Sequence, residues 1–320
     1  MKLLAVAGLV LLSPVCPVFA SSFSQLVVFG DSLSDNGNAY TFTKGIFPGS
    51  NYGVDTFTGA VVYSDGANTT PPAAGPAGLW VDQLSSKLGV ADPQPFLAAA
   101  GGTNFAFASA ETGKSSLQDM FYQVGAYVAT APTNASTALY AFWGGANDIL
   151  DGKDPRQAAD NIAGYIQELA GGGAKNFVWL NLPLLGDTPD GAPAKTQLNA
   201  ASTAFNSEWT TDVAALKGSG VNVVGVDIEQ LFSSLIGNPG AHGFTNVTDA
   251  AQKTTGLAND AGYLFWDGKH PTTQGHALIA DEVESSLVPT PEPASVSFAI
   301  IGVLAIAGIG FRKRTAQLNQ

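Results

Sequence analysis

Short apolar runs separated by longer amphipathic stretches dominate the hydropathy pattern of this chain. Four of the runs stop at glycine or at turn-forming residues, which is typical of buried strands in a sheet covered on both faces. The four predicted strands are residues 26–29, 137–143, 177–180 and 221–226. The pattern therefore predicts a sheet that contributes most of the core.

Three stretches that lie between or after these runs carry apolar residues at helical spacing. In residues 154–170 the apolar positions recur every three or four residues, and a run of three glycines follows. Residues 196–216 and 273–287 show the same period. Strands that alternate with helices predict a parallel sheet in an α/β fold. No internal repeat or interior linker divides residues 22–287, which we expect to form one domain.

Residues 37–78 differ from the rest of the body because they are rich in Gly, Pro, Thr, Asn and Tyr and show no sustained period. Length without periodicity predicts functional loops on a scaffold. The aromatic residues of this region either line an acyl or sugar site or pack locally beneath the loops, and the pattern favours neither. These aromatic residues are Tyr40, Phe42, Phe47, Tyr52, Phe57 and Tyr63.

Both ends of the chain look like targeting segments. Residues 1–20 begin with Lys2, continue with about ten apolar residues and end at Ala20, which is typical of a secretory signal peptide. Residues 288–320 begin with a proline-rich spacer and continue with an apolar segment, residues 294–311, long enough for a short transmembrane span. A basic tail follows this segment and indicates the cytoplasmic side.

Composition and charge exclude several classes of function. The formal net charge is −12, and the main body contains no Lys/Arg cluster, so no nucleic-acid partner is expected. The single cysteine, Cys16, lies in the predicted signal peptide. A mature chain without it has no disulfide framework, no thiol nucleophile and no cysteine-ligated metal.

A serine follows the first predicted strand in the sequence Gly30-Asp31-Ser32-Leu33. Ligands of α/β sheets bind at the edge where the strands end, and glycine permits the tight turn that would present Ser32 there. A Gly-Asp-Ser motif by itself would serve equally as a turn or as the N-cap of a helix.

A second motif strengthens the catalytic interpretation. Asp267 precedes His270 by three residues, just before a predicted helix, so one turn brings the carboxylate to one imidazole nitrogen and leaves the other nitrogen free to face Ser32. This arrangement is what an activated serine requires. The other two histidines, His242 and His276, are interpreted as structural or exposed.

Asn147 follows the second predicted strand and is expected at the same sheet edge as Ser32. Its amide is suited to donate to an oxyanion, although an Asx turn that closes the strand is an alternative role. Neither a metal nor an organic cofactor is needed for such chemistry. The aspartates of the loops lack the spacing of a calcium loop and are interpreted as turn residues. These aspartates are Asp35, Asp55, Asp65 and Asp148.

With these motifs in place, the chain resembles the GDSL/SGNH family of serine esterases and lipases. The matching blocks run in family order and are residues 30–33, 102–106, 144–148, 181–186, 244–249 and 267–272. The resemblance implies a flavodoxin-like SGNH hydrolase fold, a three-layer sandwich around a five-stranded parallel sheet. It also implies a triad of Ser32, His270 and Asp267, with oxyanion donors from the Ser32 backbone, the Asn147 side chain and the second block.

The chain departs from the family pattern in that second block. Where the family often has a Gly-Gly pair after Asn-Phe-Ala, this chain has Ala108 and Ser109. Ser109 is expected to supply the backbone N–H, and Gly102 is the fallback. If the position requires a positive φ, Ser109 would be strained and the activity reduced.

The C-terminal segment resembles a PEP-CTERM sorting signal, with Pro291-Glu292-Pro293 as its motif. The resemblance implies a Gram-negative host that makes exopolysaccharide, export, transient anchoring in the inner membrane, and cleavage by an exosortase-type enzyme. The mature protein would then lie at the cell surface or outside the cell. A permanent single-span anchor is the alternative.

The sequence therefore predicts an exported GDSL-type carboxylic ester hydrolase that acts through an acyl-enzyme on Ser32. Its substrate is expected to be a lipid ester, a short-chain ester or an acylated polysaccharide, and exopolysaccharide is a possible partner. The alternative is a matrix or biofilm surface protein with weak or vestigial esterase activity.

Overall fold

The computed structural model describes residues 23–65, 78–98, 100–254 and 261–287. The predicted signal peptide, the sorting motif and the apolar segment 294–311 lie outside the described residues. Among the helices that are described, none is long and apolar enough to span a membrane.

Four parallel strands form the central sheet in the order β1-β2-β3-β4. They are β1 (Leu26–Gly30), β2 (Leu139–Trp143), β3 (Asn176–Leu180) and β4 (Asn222–Val226). All four predicted strands are confirmed, although β2 begins two residues later than predicted. Every residue of β1 and β2 is buried, which is the reason why these strands read as uninterrupted apolar runs.

Helices connect the strands and follow them. The described α-helices are α1 (Asn38–Phe42), α2 (Trp80–Leu88), α3 (Met120–Ala129), α4 (Ala146–Leu150), α5 (Pro155–Gly171), α6 (Lys195–Gly218), α7 (Ile228–Gly237), α8 (Ala251–Thr254) and α9 (Thr273–Leu287). Short 3₁₀ helices lie at Leu185–Asp187, Ala192–Ala194 and Pro239–His242. Helices α5, α6 and α9 confirm the three predicted helices to within two residues at either end. Helix α5 begins where predicted because Asp154 caps the Arg156 amide and proline occupies the first turn.

The two faces of the sheet are covered by different helices, which gives the predicted three layers. Trp143 packs edge-on against Trp80 of α2, and α2 packs in turn against α9. The neighbouring residue Phe142 points to the opposite face, where Phe29 stacks on it and meets Tyr127 of α3 edge-on. Helices α5 and α6 pack against each other, and α6 contacts β4.

The expectation of five strands is only partly met. Residues 103–107 run parallel to β1 on its outer edge and share three backbone hydrogen bonds with it, but only the Val28–Asn104 pair forms a regular bridge. On its outer side Asn104 pairs with Pro95 through backbone hydrogen bonds, and the Asn38 side chain donates to the carbonyl oxygens of Asn104 and Ala106. The segment therefore lies where a fifth strand is expected but has no regular ladder along its length. The remaining strands, β5 (Asn246–Ala250) and β6 (Tyr263–Phe265), form a separate parallel pair.

Candidate active site

Ser32 lies immediately beyond the carboxyl end of β1, in a turn that depends on Gly30. A Cβ at Gly30 would lie 2.3 Å from the carbonyl oxygen of Trp143 on the neighbouring strand, so only glycine fits here. The Gln123 side chain of α3 fixes the same residue by accepting from the Gly30 N–H at 3.0 Å and donating to the Gly30 carbonyl at 2.8 Å. Gln123 was not predicted, because nothing near it in the sequence indicates that it reaches β1.

The structure brings Ser32, His270 and Asp267 together, although Ser32 lies 238 residues before His270. Ser32 Oγ is 2.7 Å from His270 Nε2, and His270 Nδ1 is 2.7 Å from Asp267 Oδ2. Asp267 Oδ1 accepts the backbone N–H groups of Lys269 and His270, so the tight loop before α9 holds the carboxylate in place. The spacing of three residues seen in the sequence produces this loop.

Burial and charge determine the protonation of the groups around the histidine. Burial by itself raises the pKa of Asp267, but the His270 charge and the hydrogen bonds from His270 and Tyr52 outweigh it, so this pKa lies well below its usual range. Burial raises the pKa of Asp31 to about 6. Burial also lowers the pKa of His276 to about 3, which keeps this imidazole neutral as it accepts the Trp80 amide. His276 is therefore structural, as predicted.

Two aromatic residues of the loop region lie against the histidine and its carboxylate. The Tyr52 hydroxyl donates to Asp267 Oδ2 at 2.7 Å, and the Tyr63 ring lies 5.1 Å from the His270 ring, centroid to centroid. Phe42, by contrast, packs edge-on against Phe107 and is 70% exposed. The sequence pattern marked these residues as aromatic but did not distinguish the two tyrosines from Phe42.

Asn147 lies in the first turn of α4, directly after the glycines that end β2. Its Nδ2 donates to the Ala110 carbonyl at 2.9 Å, and the side chain lines the same cavity as Ser32. An amide nitrogen carries two hydrogens, so one remains for a ligand in the cavity. Gly145, with φ of 106°, makes the turn possible, because a Cβ there would lie 2.4 Å from the Phe205 ring.

The two candidate donors of the second block, Ser109 and Gly102, differ in backbone conformation and in position along β1. Ser109 has a φ of 61°. This is the left-handed conformation in which the sequence analysis expected the Ser109 backbone to be strained. Ser109 lies between Ala108, whose N–H donates to the Asp35 carboxylate, and Ala110, whose carbonyl accepts from the Asn147 amide.

Gly102 packs beside the Pro95 carbonyl. Because Asn104 pairs with Val28, Gly102 lies alongside Leu26, about 13 Å along the strand from Gly30. This position is at the far end of β1 from Ser32, so Gly102 does not reach the site. The prediction of Gly102 as the alternative oxyanion donor was therefore wrong.

The aspartates interpreted as turn residues accept hydrogen bonds from backbone N–H groups, although Asp148 lies in α4 rather than in a turn. The Asp35 carboxylate accepts four backbone N–H groups, three from the following turn and one from Ala108. Asp65 accepts the N–H and the hydroxyl of Thr273 at the start of α9, and Asp148 accepts the N–H and the hydroxyl of Thr112. The hydrogen bond from the Ala108 N–H to the Asp35 carboxylate was not predicted. It joins the turn after Ser32 to the segment that follows residues 103–107.

An apolar cavity opens beside Ser32 and extends over the ends of β2 and β3. Apolar side chains from the loop after β3, from α7 and from β6 form much of its wall, and Lys269 and Asp190 contribute polar groups. The apolar wall residues include Leu182, Leu185, Phe232 and Phe265. Such a cavity suits an apolar group attached to a polar centre at Ser32.

One acidic group elsewhere has carboxylates close enough to share a cation. Asp160 of α5 and Glu208 and Asp212 of α6 bring one oxygen each to within 4.8 Å of the others. The group belongs to the α5–α6 pair, is exposed or half-buried, and shares no residue with the cavity beside Ser32. It therefore has no part in the chemistry at Ser32.

Comparison with known proteins agrees with this arrangement. Residues 26–283 match the model of a family described as GDSL-like lipase/acylhydrolase. Esterase EstA of Pseudomonas aeruginosa is 28% identical over 307 residues, which cover 83% of this chain and 47% of EstA. The thermolabile hemolysin of Vibrio parahaemolyticus is 24% identical over 290 residues, which cover 82% of this chain and 63% of the hemolysin. The chain thus spans between about half and two thirds of the length of these curated relatives.

Among solved structures, a lipolytic protein of the G-D-S-L family from Veillonella parvula has a TM-score of 0.45 and 16% identity, with 82% of this chain and 97% of that chain covered. The family match extends over well more than half of the chain. The chain therefore belongs to the GDSL-like lipase/acylhydrolase family.

Proposed function

We propose that this protein hydrolyses carboxylic esters through an acyl-enzyme formed on Ser32. The observation that carries the proposal is the continuous hydrogen-bonded series from Ser32 through His270 to Asp267, at the mouth of an apolar cavity. A serine in contact with an imidazole whose other nitrogen meets a carboxylate is the arrangement that activates a hydroxyl.

In the first step, Ser32 Oγ attacks the acyl carbonyl carbon and its proton passes to His270 Nε2. Asp267 stays ionised and stabilises the imidazolium that forms, in keeping with its lowered pKa. The tetrahedral intermediate then collapses, the bond to the alcohol breaks, and His270 returns the proton to the departing alkoxide. In the second step water attacks the acyl carbon and gives its proton to His270; the bond to Ser32 Oγ then breaks, His270 returns the proton to Oγ, and the carboxylic acid leaves.

The negative charge on the carbonyl oxygen requires hydrogen-bond donors. The candidates are the Ser32 N–H, the second amide hydrogen of Asn147 and the Ser109 N–H. Support for Asn147 comes from its position in the same cavity, with one hydrogen held by Ala110. A donor of this type stabilises a transition state by about 3–4 kcal/mol.

The test is hydrolysis of p-nitrophenyl esters from acetate to palmitate by the full chain and by Ser32→Ala. The expected result is turnover by the wild type and its loss in Ser32→Ala, with an unchanged thermal midpoint. A fluorophosphonate probe, which reacts only with an activated serine, should label the wild type and not the variant. Retained turnover in a folded Ser32→Ala protein would refute the assignment of the nucleophile.

The apolar wall of the cavity favours an acyl chain as the group that it receives. We therefore infer that the rate rises from acetate towards medium-chain esters, because each buried methylene adds about 0.8 kcal/mol. A rate that peaks at acetate would favour the second substrate class, acylated polysaccharide, in which the large group is the alcohol.

We also infer that the protein is exported and sorted. The support is the pattern of residues 1–20 and 288–320, namely the signal-like start, the Pro291-Glu292-Pro293 motif, the apolar segment and the basic tail. An exosortase-type enzyme would release the protein from a transient anchor in the inner membrane of a Gram-negative cell. Mass spectrometry of the protein recovered from its host tests this inference, because cleavage near the motif removes residues 294–320.

A matrix or biofilm surface protein with weak or vestigial activity is the second candidate, and one observation favours it. The left-handed backbone of Ser109 stores strain at a position proposed to donate to the oxyanion. Replacing Ser109 with Gly distinguishes the candidates, because an enzyme limited by this strain gains turnover in the variant whereas a binding protein gains none.

A further inference from the structure

The Asp267 carboxylate is held by more than its own loop. Two of its hydrogen bonds come from the backbone of Lys269 and His270 and reach Oδ1. The other oxygen, Oδ2, accepts two donors at the same distance of 2.7 Å, His270 Nδ1 and the hydroxyl of Tyr52. Tyr52 lies 215 residues earlier in the chain, so a separate segment completes the shell of this carboxylate.

The segment that carries Tyr52 is fastened to α8 on one side and to the histidine loop on the other. The Gln252 side chain donates to the Asn51 carbonyl, and the Ser64 hydroxyl donates to the Pro271 carbonyl. Gly53, next to Tyr52, donates its N–H to the Ser64 carbonyl. These bonds fix the backbone of Tyr52 relative to His270.

The ring of Tyr52 is also held in place. It packs edge-on against Tyr63, with ring centroids 5.3 Å apart, and Tyr63 lies in turn against the His270 ring. The hydroxyl therefore meets Asp267 Oδ2 in a fixed direction. A donor fixed by its own packing costs little further entropy when it bonds a carboxylate.

We propose that Tyr52 is a positioning residue for the Asp267–His270 pair, in the reaction proposed above. It holds the carboxylate in the orientation that meets His270 Nδ1. It also shares the charge of Oδ2, which limits how strongly the carboxylate stabilises a protonated His270. Loss of the hydroxyl therefore has two separate consequences, a less fixed carboxylate and a more strongly stabilised imidazolium.

The first measurement compares Tyr52→Phe with wild type in the full chain, using kcat/KM for a p-nitrophenyl ester between pH 5 and 9. The variant should lose about tenfold in kcat/KM, the effect of one hydrogen bond to a charged group. The acid limb of its kcat/KM profile should move to higher pH than in the wild type. The reason is that a protonated His270 is inactive as a base and is more strongly stabilised when Tyr52 no longer bonds Asp267. Asp31 and His276 also act on His270 electrostatically, and neither changes in this variant.

Tyr40→Phe is the matched control, because it removes a tyrosine hydroxyl from α1, outside the bonds described for Asp267 and His270. It should leave both the rate and the acid limb as in the wild type. A purely structural role for Tyr52 would lower the thermal midpoint of Tyr52→Phe without moving the acid limb, and that outcome would overturn the proposal.

A second readout does not depend on turnover. The proton between His270 Nδ1 and Asp267 gives a low-field NMR resonance, identified by its absence in His270→Ala. Tyr52→Phe should move it further downfield, because Oδ2 then bonds His270 alone. Replacing Tyr52 with 3-fluorotyrosine, which keeps the ring and strengthens the donor, should move it upfield.

The two readouts separate this proposal from the proposed function. A protein that hydrolyses no ester but shows both resonance shifts supports the role of Tyr52 and refutes ester hydrolysis. A resonance that is the same in the wild type, Tyr52→Phe and the fluorotyrosine protein overturns the role of Tyr52, whatever the turnover.

Discussion

Replacing Asp35 tests how the turn after Ser32 is held against the segment that contains Ala108. Its buried carboxylate accepts the N–H groups of Gly37 and Asn38 on Oδ1 and those of Ala39 and Ala108 on Oδ2. Three of these bonds stabilise the turn after Ser32. The fourth fixes the segment that contains the proposed oxyanion donor.

Asp35→Asn keeps the shape of the side chain but turns one acceptor oxygen into a donor NH₂. Two backbone N–H groups then lose their partner, and each buried unsatisfied N–H costs about 1–3 kcal/mol. The loss is partly offset, because burial raises the pKa of Asp35 and the neutral amide avoids the cost of a buried charge. We expect a net loss of about 2 kcal/mol for Asp35→Asn and of about 4 kcal/mol for Asp35→Ala, which orphans all four N–H groups.

Urea denaturation at pH 7, followed by tryptophan fluorescence, measures these free energies of unfolding. The exposed Asp151 at the end of α4 supplies the control, because Asp151→Asn should change the free energy of unfolding by less than about 0.5 kcal/mol. We also expect Asp35→Asn to lower kcat/KM between about 10- and 100-fold, because Ala108 is no longer held against the turn after Ser32. If Asp35→Asn were as stable and as active as Asp151→Asn, the four hydrogen bonds would not hold the two blocks together.

Two further predictions follow from the same geometry. Asn147→Ala should lower kcat by about 10²–10³-fold in saturation kinetics with little change in KM, because the amide acts on the oxyanion and not on the bound ester. Burial raises the pKa of Asp31 to about 6, so between pH 4 and 6 the folded protein holds a proton that the unfolded chain has released, and stability falls as the pH rises. Across this window the fall measured from urea curves should be about 3 kcal/mol larger in the wild type than in Asp31→Asn, since Asp92 and Asp212, whose pKa values are also raised, titrate in both proteins; equal slopes would contradict the shift.

Elements with local signals were predictable from the amino-acid sequence. The four strands of the central sheet and the three long helices were predicted to within two residues, because apolar periodicity and glycine or capping residues act over a few positions. Asp267 and His270 were recognised for the same reason, since a spacing of three residues builds their hydrogen bond within one loop. Ser32 was located at the sheet edge because the end of a predicted strand gives its position.

Which distant residues complete the site depends on how the chain packs in three dimensions. Tyr52 and Gln123 reach their partners through packing between segments that lie far apart in the sequence, and no local pattern encodes such a contact. The structure also removes Gly102 from consideration as an oxyanion donor, because the register of residues 103–107 on β1 puts Gly102 beside Leu26, far from Ser32. The irregular pairing at the position of the expected fifth strand has the same origin, because residues 103–107 contact β1 on one side and Pro95 on the other. Local sequence sets the backbone state of each element, whereas hydrogen bonds between elements depend on how the whole chain packs.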